Sequence, residues 1–254
     1  MEKPLDTQGK KIFLLHPHSV IRDDMLDLLI MAGYETYTVL DTKKAKRLLG
    51  MFPGSIMFIN IDEGLKENEW ETYIRSILED PETKGSRLGI MSYNQDRALM
   101  KKYLLEISIP CGYIQLKLGL SESTKIILTA LEANEARGRR KYIRAGCEDD
   151  LNATINFKNA SGLCKGKILD ISSAGIAARF EKALELTLGA IIEGVQVRLR
   201  GGLVMTKMMY MGLRRDDTSV YIMVFDSKLS TANKLVIYRY IKQCLQKYID
   251  ALKV

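Results

Sequence analysis

Apolar residues in the first half of the chain fall in short dense runs, separated by longer stretches with helical spacing. Lys11-Ile12-Phe13-Leu14-Leu15, closed by His16-Pro17-His18, has the pattern of a buried strand and a turn. Behind it, apolar positions 21, 25, 28 and 29 share one helical face, with Ser19 as N-cap and Gly33 as the stop. The alternation then repeats. Strands are predicted over 34–39, 55–62, 88–92 and 112–117, and helices over 43–51, 70–79, 95–106 and 121–137, the last ending at Gly138. Strands that alternate with helices in this way predict a doubly wound parallel α/β sheet.

The second half follows a different rule. Residues 163–169 lead through Asp170-Ile171-Ser172-Ser173-Ala174-Gly175 into 176–180, a strand, a polar turn and a second strand. Further strands are predicted over 189–199, 203–212 and 220–225, with the β-favouring pair Tyr142-Ile143 ahead of them. Asp and Ser side chains cap turn amides and Gly175 would supply an unusual backbone angle, so the Asp170–Gly175 segment has a purely structural reading as well as a functional one. The Met205, Met208, Met209 and Met211 cluster reads as core filler rather than a partner surface. Ser230 opens a helix through Leu252, with Leu235, Tyr238, Ile241, Leu245, Tyr248 and Leu252 as its apolar stripe.

Charge separates the halves further. The net charge is +7, yet residues 1–136 carry 17 Lys and Arg against 20 Asp and Glu, whereas 137–254 carry 21 against 11. The whole basic excess belongs to the second half, which points to an anionic partner there. At 46% hydrophobic and 27% charged the chain is globular material, and no apolar run reaches membrane-spanning length. The start, MEKPLDTQGKK, has no apolar signal core, so export is not expected. Four cysteines without CxxC spacing, and two histidines both before residue 19, argue against structural zinc or a disulfide framework and for a reducing cytoplasm. An enzyme is not expected, since no phosphate-binding Gly loop or paired catalytic acids stand out, and Glu148-Asp149-Asp150 reads as a solvated turn.

The order and lengths of the first-half elements resemble the receiver domain of response regulators, here over 10–136. In that family acidic residues after the first strand bind Mg²⁺, an Asp ending the third strand accepts phosphate, a Ser or Thr ends the fourth strand and a Lys the fifth. Ser92 and Lys117 match the last two places. His16-Pro17-His18 replaces the acidic cluster, and Asn60 takes the phosphoacceptor position. Asp62, two residues on, would point to the opposite face if the strand continued. With too few carboxylates for a hard cation, the resemblance implies a receiver-like domain without phosphoacceptor or metal, kept for contacts with another protein.

The junction Arg137-Gly138-Arg139-Arg140-Lys141-Tyr142-Ile143-Arg144 is a basic arm running into a strand. Arginine forks fit phosphate oxygens or a guanine O6/N7 edge, while a solvated basic linker is the plainer reading of the octamer alone. Arg140-x-x-x-Arg144 followed by Asp170-x-Ser172-x-x-Gly175 resembles the paired signature of the PilZ domain, over 137–254. The resemblance implies a six-stranded antiparallel β-barrel with a C-terminal helix, and a receptor for bis-(3′-5′)-cyclic dimeric GMP (cyclic di-GMP) that needs no cofactor. Arg140 and Arg144 would clasp a phosphate and a guanine edge, with Asp170, Ser172 and Gly175 on the other side. Arg139 would stack on a second guanine of an intercalated ligand pair. Closure of the arm over the ligand would reorient the domains, in bacterial signalling of the motility or virulence kind. The Arg214–Ser219 turn departs from the Gly-rich turn common in the family, with adequate turn chemistry of its own. The alternative is a nucleic-acid-binding regulator using the basic half, although no helix-turn-helix pattern follows the linker.

Overall fold

A computed structural model describes residues 9–138, 142–160 and 162–253. Two compact units emerge, with the boundary between Lys141 and Tyr142 and the second unit covering Tyr142–Tyr248. Arg139 and Arg140 lie outside the described residues.

The first unit alternates strands β1 (Ile12–Leu15), β2 (Thr36–Val39), β3 (Ile56–Asn60), β4 (Arg87–Ser92) and β5 (Tyr113–Gln115) with helices α1 (Ser19–Met31), α2 (Thr42–Met51), α3 (Glu67–Glu79), α4 (Arg97–Lys101) and α5 (Leu120–Ala133). The sheet is parallel in the order β2-β1-β3-β4-β5, a doubly wound arrangement. Every residue of β1 and β3 is buried, as a sheet covered on both faces requires. Trp70 of α3, fully buried, donates its indole N–H to the Glu63 carbonyl at 3.1 Å and packs edge-on against His16 at 5.9 Å.

Local details differ from the sequence expectation. The α1 cap is His18, whose Nδ1 accepts from the Val20 amide at 3.3 Å, because the turn after Pro17 brings the imidazole over the first helical amides. Residues 102–106 continue α4 as a wider π turn. Helix α5 stops at Ala133, with Asn134 as C-cap and Glu135 at φ 48°, so Gly138 is not its terminator.

His16 sits at φ 47°, and burial lowers its imidazole pKa from 6.5 against the opposing pull of the Glu63 and Asp41 carboxylates. A base whose folded pKa is depressed loses stability as pH falls through its unfolded value. We expect the melting temperature to drop more in the wild type than in His16→Asn between about pH 7.5 and about pH 5.5, asparagine being tolerated at positive φ. Equal drops in thermal melts would exclude His16 as the titrating group.

In the second unit, strands β6 (Arg144–Gly146), β7 (Thr154–Asn159), β8 (Gly162–Ser172), β9 (Gly175–Phe180), β10 (Ile191–Leu199), β11 (Gly202–Leu213) and β12 (Val220–Phe225) precede helix α6 (Thr231–Ala251), whose residues from Ile249 on group with the first unit. Antiparallel pairing runs β6-β8-β7-β10-β11-β12-β9, and a further β8–β9 pairing joins the ends into a closed six-strand barrel. Short β6 lies outside that ring, paired to β8. Inside, Ile155, Phe157, Ile168, Ile171, Val195, Val197, Val204, Met208 and Met223 are buried.

Three of the four clustered methionines are not core. Met205, Met209 and Met211 are 41–50% exposed, because β11 alternates and only Met208 takes an inward position. Helix α6 is capped by Ser230, whose Oγ accepts from the Asn233 amide at 3.2 Å. Its buried face, Ile237, Tyr240, Ile241, Leu245 and Ile249, keeps Ile241 and Leu245 of the expected stripe but is rotated so that Leu235 and Tyr248 are exposed. Tyr240 explains the rotation. Its hydroxyl donates to Asp150 Oδ2 at 2.9 Å, and the Asn152 amide donates to Oδ1 at 3.0 Å. Asp150 is therefore a buried anchor for α6 and not part of a solvated turn.

Candidate functional site

The two sequence motifs of the second unit meet through the pairing of β6 with β8. Arg144 lies opposite Ser172, Ala145 opposite Ile171, and Gly146 opposite Asp170. Directly paired residues share a sheet face, and i and i+2 along a strand do too. Ala145 and Ile171 point into the barrel and are buried, so Arg144, Ser172 and Asp170 all belong to the outer face. Arg144 is exposed there.

Ser172 and Gly175 build the turn between β8 and β9. Ser172 Oγ accepts from the amides of Ala174 and Gly175 at 3.3 and 3.2 Å and donates to the Gly175 carbonyl at 3.2 Å. With Ser172 only 8% exposed, its hydroxyl is committed to that turn. Gly175 does not occupy the left-handed region, contrary to the expectation of an unusual angle. What it supplies is closeness: a Cβ there would stand 2.2 Å from the Met223 carbonyl oxygen of β12.

Asp170 follows a β-bulge in the β8–β9 pairing, with its side chain 24% exposed. Its Oδ2 accepts from Arg214 Nη2 at 2.9 Å. Arg214 is the residue the motifs do not contain, since it lies 44 positions away at the end of β11. Its position in a turn between two predicted strands gives only a weak signal. Along the same outer face an open groove of about 430 Å³ is lined by Lys165, Lys167 and Arg179 among others. Four groups thus make up the described part of the candidate site: the exposed Arg144 fork, the Asp170 carboxylate, its Arg214 partner and the hydrogen-bonded Ser172–Gly175 turn.

The corresponding place in the first unit is the C-terminal end of the parallel sheet. Asn60 is buried, with its amide donating to the His16 carbonyl at 2.9 Å and its Oδ1 accepting from the Asp62 amide at 3.2 Å. The strand ends at Asn60, so Asp62 does not project to the opposite face. It turns back, and its carboxylate accepts from the Ser92 hydroxyl at 2.5 Å and the Tyr93 amide at 2.6 Å. Lys117 is exposed on a 3₁₀ turn after β5. His18 faces Glu63 at 3.8 Å and stacks edge-on with Tyr93. Among the described residues no group of three or more His, Cys, Asp or Glu is placed to hold a metal ion, and no helix is long and apolar enough to cross a membrane.

No family model and no curated protein matches the chain. Among solved structures, the chain is similar to the PilZ domain with c-di-GMP of YcgR from Escherichia coli, at 16% identity and TM-score 0.38, over 45% of this chain and 99% of that one. It is also similar to the K. pneumonia MrkH–c-di-GMP complex, at 16% identity and TM-score 0.34, over 41% of this chain and about half (51%) of that one. A third is the signal receiver domain of an HD domain-containing protein from Pseudomonas fluorescens Pf-5, at 19% identity and TM-score 0.42, over 53% of this chain and 95% of that one.

Proposed function

We propose that this protein is a non-catalytic cytoplasmic effector that binds cyclic di-GMP on the outer face of its barrel. The observation that carries the reading is the β6–β8 register, which sets Arg144 of the first motif opposite Ser172 of the second and Asp170 one pair further on. A dinucleotide with two phosphates and two guanines offers both surfaces that a guanidinium fork reads. Guanine N1–H and its 2-amino group are donors for a carboxylate, the role assigned to Asp170. Arg144 clasps a phosphate or a guanine O6/N7 edge, and Arg140 completes the clasp by its place in the motif. Arg139 stacks on the second guanine. Ser172 and Gly175 hold the turn that shapes the floor.

Because Arg139 and Arg140 belong to the segment that joins the two units, capturing the ligand there fixes the junction. The receiver-like unit then presents a changed surface to a protein partner, in control of motility or virulence. Ligand-dependent change of this kind requires differential contacts with two states, and the clasp supplies them. A duplex-binding regulator is the competing reading. Titrating the full chain with cyclic di-GMP and with a DNA duplex at two salt concentrations separates them. We expect selective dinucleotide binding, and duplex affinity that is weak and falls steeply with salt. Tight duplex binding without dinucleotide binding would reverse the assignment.

A further inference from the structure

We propose that Arg214 is a positioning residue: by holding Oδ2 of Asp170 it aims that carboxylate at the guanine edge and sets the site's preference for guanine over adenine. The inference rests on the cyclic di-GMP reading and adds to it a residue that neither motif contains.

Arg214 is presented by a braced hairpin end. Its amide donates to the Val220 carbonyl at 2.8 Å. Beyond it, Asp217 Oδ1 accepts from the Ser219 amide at 2.9 Å and hydroxyl at 2.6 Å, while Arg179 holds Asp217 Oδ2 at 2.7 Å and Ser219 Oγ at 3.1 Å. The Ser219 hydroxyl and amide, then Arg179, keep the Asp217 carboxyl at about 2, so the brace is charged throughout the physiological range. From this fixed end beside β12 the Arg214 guanidinium passes over β12 and β9 to reach Asp170 on β8. The register places Asp170, Ala177, Ile222 and Gly212 in one row over β8, β9, β12 and β11, three interstrand steps of about 4.8 Å each, with Arg214 two residues beyond Gly212. Leu169, Ala177 and Val220 form a buried apolar cluster here, with Ile222 packed on it. The pair is accordingly half-buried, at 28% and 24% side-chain exposure, and is less screened than a pair standing in solvent.

The chemistry needs such a hold. Guanine presents two adjacent donors, N1–H and the 2-amino group, whereas adenine presents one amino donor beside the N1 acceptor. A carboxylate fixed in orientation rewards the first pattern and repels the second; one free to rotate distinguishes them less. Arg214 fixes one oxygen and thereby the direction of the other.

The test is a double-mutant cycle by isothermal titration of the full chain with cyclic di-GMP and cyclic di-AMP. Arg214→Ala is expected to weaken cyclic di-GMP binding about tenfold and to narrow the ratio between the two ligands. Arg214→Lys, which keeps charge without the planar fork, should recover part of the loss and also carries the test if the alanine variant melts early. In an Asp170→Ala background, Arg214→Ala should add nothing. Wild-type affinity and ratio in Arg214→Ala would overturn the inference while leaving the ligand reading intact. Independent, multiplying effects would also overturn it, by making Arg214 a direct ligand contact. A wild type that binds no cyclic di-GMP removes the ligand reading and this inference together.

Discussion

Gly175→Ala is expected to destabilise the barrel by about 3 kcal/mol, at the upper end of what overpacking costs. The added methyl would stand 2.2 Å from the Met223 carbonyl oxygen, 2.9 Å from Val224 Cα and 3.1 Å from the Met223 carbonyl carbon. All three atoms are backbone, so no flexible side chain can yield. Strand β12 cannot retreat cheaply either, because it pairs with β9 on one side and β11 on the other. The same strain reaches the proposed ligand face, since the Gly175 amide and carbonyl are both bonded to Ser172 Oγ. For a domain of this size the loss corresponds to a melting-temperature drop on the order of 15 °C, read by circular dichroism. A variant that melts with the wild type would show that β9 and β12 do not approach this closely.

Asp170→Ala acts on binding rather than on folding. Removing a charged acceptor from the proposed ligand contact is expected to lower cyclic di-GMP affinity by at least about tenfold, on the order of 1.5–3 kcal/mol. Stability should change little, because the Asp170–Arg214 pair is partly exposed and such pairs contribute about 1 kcal/mol or less. Separating the two readouts matters: a variant that binds weakly and melts normally assigns Asp170 to the ligand. Unchanged affinity would remove it from the site. An early melt would make any binding loss uninformative about contact, and Asp170→Asn, which keeps the shape, then provides the comparison.

Much of the architecture was legible because it depends on local pattern. Buried parallel strands such as Ile12–Leu15 and Ile56–Asn60 announce themselves as apolar runs between helical segments. Strand Thr154–Asn159 is absent from the sequence reading, although its Thr-Ile-Asn-Phe-Lys alternation carries the period-two signal. Features that depend on long-range register were not legible. Asp62 reaches Ser92 only because the chain leaves the sheet after Asn60, which a strand extended by two residues would conceal. The inward and outward methionines of β11 were blurred because an outer face carrying Met205, Met209 and Met211 breaks the usual polar alternation. Tyr240 sets the rotation of α6 through Asp150, 90 positions away. Arg214 was hidden for the same reason, being brought to Asp170 by the closure of the barrel. Gly175 is a required glycine, but its constraint comes from a neighbouring strand and not from its own dihedral angles.

The proposed function requires that the full chain bind cyclic di-GMP through the face where β6 meets β8. Isothermal titration of the wild type and of Arg144→Ala with this ligand tests it most directly, because Arg144 is the exposed motif arginine whose removal leaves the turn and the core untouched. Saturable binding by the wild type, weakened at least about tenfold in Arg144→Ala while the melting temperature holds, is the predicted result. No heat of binding in the wild type, or equal affinity in the two proteins, would contradict it.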